Sequence, residues 1–241
     1  MSFIKKSEKK ILCVLNTFFN YEHIQMCFDS LYHDSIDYFI LENKSKYSDK
    51  IENYFKDKRL LGYLQSEKNI THGTVDYFIK NYRDMVKQYD YFTLTDGDVL
   101  VDNVDNLYEE IFSILDKPKV KVCCAMLDNC NLPNHPEAPK WLQRGEIIDG
   151  QYMKSISGTF VMTFKRENFD FILDLGHVMD VAVHENIRKH GNGVSAVTIK
   201  NKVKHLTWDY YYDGNEYYEW KKNNQWTLKY CKETSNMKRI V

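Results

Sequence analysis

Thr95-Asp96-Gly97-Asp98 sets two carboxylates on either side of a residue with no side chain. Just before it, Tyr89 to Thr95 reads as a buried strand. Two carboxylates at a strand end can reach one point in space, and oxygen-only ligands suit magnesium or manganese. A divalent cation held there can bridge a diphosphate and neutralise charge as that group departs. Asp-Gly-Asp is also common turn composition. Yet two carboxylates beside a sheet edge repel unless a cation or a solvated turn relieves them.

Small polar residues follow the earlier strands as well: Asn16-Thr17, Glu42-Asn43-Lys44-Ser45 and Asn69-Ile70-Thr71-His72-Gly73. Each is explicable alone as a helix cap or a turn. Together they put hydrogen-bonding groups where a nucleotide would lie, and Gly73 opens a helix whose free N–H groups suit an anion.

The elements that must position these residues alternate. Ile11 to Asn16, Ile36 to Leu41, Leu60 to Leu64 and Tyr89 to Thr95 are apolar runs with the look of strands covered on both faces. Between them, 21–32, 48–55 and 73–88 carry apolar residues at helical spacing, as 104–115 does afterwards. That alternation predicts βαβ units and a mostly parallel sheet, with ligands at the carboxyl ends of its strands. The second half is less regular. Val120 to Leu127, Gly158 to Phe164 and Gly193 to Ile199 read as strands, 166–174 and 179–190 as helices, and 128–150 as a long loop. The tail from Leu206 is aromatic and polar without a clear period. It fits packing over the sheet, a platform on which sugar rings could stack, or a homodimer interface. Lys221, Lys222 and Lys229 would also suit a membrane-surface contact. The expected fold is a single α/β domain over 1–241. It divides into a regular half at about 10–115, a less regular half at about 120–206, and an aromatic extension 207–241.

In this order the features resemble a nucleotide-sugar glycosyltransferase of the GT-A type, closest in style to family 2. The likeness rests on the polar pair after strand one, Glu42-Asn43-x-Ser45 after strand two, the Asn-rich turn before a helix, and the D-x-D of Asp96-Gly97-Asp98. It covers roughly 10–206 and implies a nucleotide-binding half at about 10–115 and an acceptor and catalytic half at about 120–206. It implies a Rossmann-like GT-A domain, a nucleoside diphosphate sugar donor, a hydroxyl acceptor such as a glycan, and Mn2+ or Mg2+. Thr17, Glu42, Asn43 and Asn69 would hold the nucleoside, with Gly73 and Gly97 lining the donor. Asp96 would meet ribose or metal-bound water, and Asp98 the cation. The family's acidic pair, followed by Arg and Gly, corresponds to Met179-Asp180, Arg188 and Gly191, so Asp180 matches the catalytic base while Met179 departs from the pattern. Glu185 is the rival base, on a different face of the helix. His205 resembles the terminal histidine that contacts metal or diphosphate. Ser157-Gly158-Thr159 resembles the small-residue wall of the sugar pocket. His72 and His184 read as surface or packing residues. The family's Ala-Arg-Asn triplet is absent, since the chain reads Asp76-Tyr77-Phe78-Ile79, so no diphosphate role passes to Lys80 or Arg83.

Composition limits the alternatives. The 241 residues are 43% hydrophobic and 28% charged, enough for a real core. Lys plus Arg is 33 and Asp plus Glu 34, without the basic excess of a generic nucleic-acid binder. No apolar run suggests a leader or a membrane span, so a cytoplasmic location is expected. Six cysteines without a CxxC pair read as buried, reduced thiols. A nucleotidyltransferase would be expected to carry a Gly-rich basic loop after strand one; Thr17-Phe18-Phe19-Asn20-Tyr21 has neither Gly nor Lys nor Arg. The remaining alternatives to an inverting glycosyltransferase are a retaining one and a non-catalytic nucleotide-sugar-binding module.

Overall fold

The computed structural model describes residues 2–175, 180–190, 193–229 and 236–241, with the backbone alone for 180, 181 and 225–229. The first half runs α1 (Phe3–Ser7), β1 (Ile11–Phe18), α2 (Tyr21–Leu31), β2 (Ile36–Asn43), α3 (Ser48–Phe55) and β3 (Gly62–Ser66). It continues through α4 (Gly73–Asn81), α5 (Arg83–Val86), β4 (Tyr91–Asp96), β5 (Val99–Val101) and α6 (Val104–Leu115). The second half holds β6 (Val120–Leu127), β7 (Glu146–Ile148), β8 (Tyr152–Lys154), β9 (Met162–Lys165) and α7 (Phe169–Leu173). It ends with α8 (Asp180–His190), β10 (Val194–His205), α9 (Glu216–Lys229) and β11 (Met237–Arg239).

The strands form one sheet in the order β11-β3-β2-β1-β4-β9-β6-β10-β8-β7, with β5 on β10. β3, β2, β1 and β4 are parallel. β9 lies antiparallel between β4 and β6, and β6 pairs parallel with β10. The apolar run in β1 explains the layering. Ile11, Cys13 and Leu15 join a core with Phe28, Phe55, Leu107 and Ile111. Leu12 and Val14 face the other way, into a core with Phe78, Ile79, Phe169, Val183 and Ile187. Alternate residues of one strand thus bury against two helical layers, α2, α3 and α6 on one face and α4, α7 and α8 on the other.

Register carries polar residues to one edge. Asn16 pairs with Leu41 and with Asp96, and Phe18 with Asn43, so the carboxyl ends of β1, β2 and β4 meet. β5 then turns antiparallel onto β10 and sets Val99 opposite His205. This brings the end of β10 beside Asp98, about a hundred residues earlier in the chain.

β10 runs beyond the expected 193–199, since after an irregularity between Val197 and Lys202 its pairing with β6 resumes at Lys202 and Val203. Glu110 of α6 stabilises that break. Its buried carboxylate accepts the backbone N–H groups of Ile199, Lys200 and Asn201 at 2.8, 2.9 and 2.7 Å. Removing it leaves three donors without their acceptor, so Glu110→Ala should destabilise the fold by about 3 kcal/mol or more. Urea unfolding measures this, and an unchanged midpoint would contradict the bracket.

Other expectations need correction. The helix expected over 73–88 breaks at Tyr82 into α4 and α5. The strand expected from Gly158 begins at Met162, since Val161 turns through a positive φ of 47°. The loop 128–150 contains β7, which forms a hairpin with β8. Cys13, Cys27, Cys123 and Cys124 are buried free thiols, but Cys130 is exposed; Cys231 lies outside the described residues. Among the described residues no helix is long and apolar enough to cross a membrane.

Candidate active site

At the carboxyl edge of the parallel strands lies a cavity of about 290 Å³. Asn16, Asn43, Asn69, Asp96, Gly97, Asp98 and His205 line it. The sequence placed most of these at one edge, and the structure brings them together.

The floor is a hydrogen-bonded network. Asn43 Nδ2 donates to Asn16 Oδ1 at 3.2 Å and to the Thr71 carbonyl at 3.0 Å, while its Oδ1 accepts from Ile70 N at 2.9 Å. Asn69 Oδ1 accepts from Thr71 N at 2.9 Å, and Thr74 Oγ1 donates to Asn16 Oδ1 at 2.8 Å. Thr71 is thereby held at φ 53°, a conformation that β-branched residues avoid. The asparagines therefore fix the loop that leads to Gly73 and α4, as well as facing the cavity.

Gly97 is dictated by space. A Cβ there would lie 2.9 Å from Thr17 Cγ2. Thr17 is buried behind it and donates to the Leu41 carbonyl at 3.2 Å. Thr17 thus shapes the wall, and it does not line the cavity. Glu42 is also set back. It is fully buried and accepts from Tyr63 Oη and from Gln65 Nε2, the latter at 2.9 Å. Burial raises its pKa, partly offset by hydrogen bonds from Ser48, Tyr63 and Gln65. The folded protein therefore holds this proton to higher pH than the unfolded chain does. Stability falls as pH rises past the ordinary glutamate range, so the contribution is unfavourable at neutral pH. Glu42→Gln should raise the Tm at pH 7.5 and leave it unchanged at pH 4. A lower Tm for the amide at pH 7.5 would show that the carboxylate is needed ionised.

Asp98 is the electrostatic centre. Its Oδ2 lies 3.1 Å from His205 Nε2 and accepts from Thr207 Oγ1. Its carbonyl accepts from Leu206 N at 2.7 Å. Burial alone would raise its pKa, but the charge and hydrogen bond of His205 and the Thr207 hydroxyl outweigh that and hold it well below the usual carboxylate range. Among the described residues, Asp98 Oδ1 and His205 Nδ1 are buried without a hydrogen-bond partner. Asp96 lines the same cavity, and its N–H donates to the Thr159 carbonyl at 2.9 Å.

These residues fit a divalent cation. An ionised carboxylate with one unpartnered buried oxygen suits manganese or magnesium, and the adjacent imidazole is a ligand that manganese takes more readily than magnesium does. Among the described residues no three His, Cys, Asp or Glu side chains form a ready metal centre. The protein thus offers a partial ligand set, the usual arrangement where substrate phosphates complete the shell.

Ser157 and Gly158 flank the site through their neighbour Thr159, outside the cavity lining. Ser157 Oγ accepts from Gln143 Nε2 at 2.8 Å, and its carbonyl lies 2.9 Å from His184 Nε2. His184 is buried and also lies 2.8 Å from Ser195 Oγ, so it packs as the sequence suggested. α8 begins at Asp180, one turn before His184; the Asp180 side chain, Met179 and Gly191 lie outside the described residues. Glu185 is exposed and paired with Lys189 at 3.1 Å.

Sequence reasoning missed several residues. His72 lines the cavity instead of standing apart from it. Thr207 has no sequence signal beyond lying two residues after His205. The aromatic tail forms α9 and covers the carboxyl edge: Trp220 packs against Phe18 at 4.7 Å and Tyr217 against Phe19 at 5.7 Å between ring centres. Tyr217, Trp220 and Lys221 line the cavity from above. Burial would lower the Lys221 pKa, but Tyr217, Tyr211 and Asp98 outweigh it and keep the group cationic.

No protein-family model matches the chain. Two proteins of Acanthamoeba polyphaga mimivirus are similar in sequence. "Uncharacterized protein L142" is 28% identical over 239 residues, which is 91% of this chain and 48% of that protein. "Uncharacterized protein L138" is 31% identical over 242 residues, 92% and 27% respectively. The chain therefore spans about half and about a quarter of their lengths. In three dimensions it is similar to the mannosyltransferase PcManGT from Pyrobaculum calidifontis, in complex with GDP-Man and Mn2+. There the TM-score is 0.55 at 12% identity, covering 88% of this chain and 60% of that one. Glucosyl-3-phosphoglycerate synthase from Mycobacterium tuberculosis, in complex with Mn2+, UDP and glucosyl-3-phosphoglycerate, gives 0.54 at 13%, covering 84% and 74%. CMP:2-keto-3-deoxy-manno-octonic acid synthetase complexed with CTP gives 0.50 at 10%, covering 91% and 99%. At such identities the shared property is the fold. The order of motifs along the sequence and the likeness in three dimensions agree on it: the chain is a GT-A-like α/β protein, built as nucleotide-sugar glycosyltransferases are.

Proposed function

We propose that the chain is a metal-dependent inverting glycosyltransferase that moves a sugar from a nucleoside diphosphate sugar to a hydroxyl acceptor, with a glycan the expected acceptor. One observation supports this most strongly. Asp98 is an ionised carboxylate with a buried, unpartnered oxygen, set beside His205 in a cavity at the carboxyl ends of parallel strands. A solvated turn would need none of this.

In this reading Asn43 and Asn69 hold the nucleoside, with Thr17 and Glu42 shaping the wall behind them. Gly97 lets the backbone pass close to Thr17, and Gly73, whose N–H donates to the Ile70 carbonyl at 2.9 Å, opens α4 beside the donor. Asp98 and His205 would hold Mn2+ or Mg2+ with Asp96 nearby, and the bound cation would supply charge neutralisation for the leaving diphosphate. Ser157 and Gly158 flank the sugar. Asp180 accepts the proton of the acceptor hydroxyl as its oxygen bonds to the anomeric carbon from the face opposite the diphosphate. The bond from that carbon to the diphosphate breaks, and the diphosphate keeps the electron pair. Exposed Glu185, already paired with Lys189, is the poorer base.

A thermal-shift panel of UDP- and GDP-sugars, with and without Mn2+, tests the reading. Stabilisation by at least one donor, greater with Mn2+, is expected. Proton NMR of the product should then show an inverted anomeric centre. No response to any donor would contradict donor binding; a retained anomer would remove Asp180 as the inverting base. Tight donor binding with neither transfer nor slow donor hydrolysis would point to a binding module.

A further inference from the structure

The C-terminal helix does more than cover the cavity. We infer that Lys221 is a diphosphate-binding residue, delivered to the donor cavity by α9. The inference rests on the donor reading above and extends it to a residue outside the motif order.

Lys221 is the one Lys or Arg among the described residues that line the cavity. Its ammonium donates to Tyr211 Oη and lies 4.9 Å from the centre of the Tyr211 ring and 5.9 Å from that of Tyr217. Among the described residues no carboxylate pairs with it. An ammonium has three N–H donors, so a neutral phenol leaves donors to spare. Its neighbours differ. Lys222 pairs with Asp213 at 3.0 Å and Glu219 at 2.7 Å, and Lys46 pairs with Glu216. Those cations are neutralised at the surface, whereas Lys221 turns inward to a cavity that holds Asp96 and Asp98.

The helix that carries it is anchored at several points. Glu216 takes Lys46 and the Tyr47 hydroxyl, the latter at 3.0 Å, tying α9 to the segment after β2. Phe18, Phe19, Tyr217 and Trp220 pack together over the end of β1. Phe19 takes a positive φ of 66° to reach that position. A cation fixed by aromatic packing at the mouth of an anionic pocket suits a multiply charged oxyanion. Nucleosides alone would have no use for it.

Calorimetry of the whole chain with UDP, GDP and inorganic pyrophosphate, each with Mn2+, tests this. Lys221→Met should weaken whichever of these the unaltered protein binds by about tenfold or more, the loss of one charge-assisted hydrogen bond. Lys221→Arg should recover part of the affinity, and Lys222→Met should match the unaltered protein. If Lys221→Met binds normally, the inference is overturned while the donor reading stands. If Lys221→Met loses binding together with its melting transition, Lys221→Arg decides: a folded Arg variant that binds no better than Met overturns the inference. If the unaltered protein binds none of the three probes, the donor reading falls and this inference with it.

Discussion

Asp98→Asn should lower Mn2+-dependent affinity for a nucleoside diphosphate by about 100-fold or more, in the range found when one member of a buried charge pair is lost. Three features concentrate the effect. Asp98 Oδ2 is engaged by His205 and Thr207, which fixes the carboxylate. Its Oδ1 is buried and, among the described residues, unpartnered. Its pKa is held below the usual range despite burial, so the negative charge is present throughout the physiological range. An amide keeps the shape and removes the charge that a hard divalent cation requires. Calorimetry with UDP and GDP, with Mn2+ and with EDTA, reads the change. Equal affinity in the variant would take Asp98 out of the cation site.

Asp180→Asn should lower transfer by about 10²–10⁴-fold, the usual contribution of a positioned general base. Donor and Mn2+ affinity should stay unchanged, because the loss falls on the proton transfer. The described part of α8 runs Asp180–His190, and His184 Nε2, one turn along, lies 2.9 Å from the Ser157 carbonyl. Glu185→Gln should leave turnover unaltered, since that carboxylate is exposed and paired with Lys189. Turnover of Asp180→Asn at the normal rate, or loss of turnover in Glu185→Gln alone, would reassign the base.

What could be read from the sequence follows burial. Ile11 to Leu15 had to be covered on both faces, and the observed β1 is, so the layering was legible from five residues. The strands run one or two residues past their apolar runs, into Phe18, Asn43 and Asp96, because the ladder continues through polar side chains that bond one another. The D-x-D and His205 were legible as motifs. Their contact depends on β5, three residues whose pairing with β10 has no local signal. Glu42 looked like a ligand residue and is held inside by Tyr63 and Gln65, since a carboxylate at a strand end carries no mark of which way it turns. α9 was illegible for a plainer reason. Its Tyr217 and Trp220 pack on Phe18 and Phe19 at the end of β1 and line a cavity, so they do not form the single apolar stripe of a helix on a core.

The central claim is that a divalent cation and a diphosphate meet at Asp98 and His205. A crystal grown with Mn2+ and a nucleoside diphosphate tests it through the anomalous signal of manganese. The account predicts one strong peak about 2.1 Å from an Asp98 carboxylate oxygen, in contact with His205 and with diphosphate oxygens. A nucleotide seated elsewhere, or manganese bound away from both residues, would contradict it.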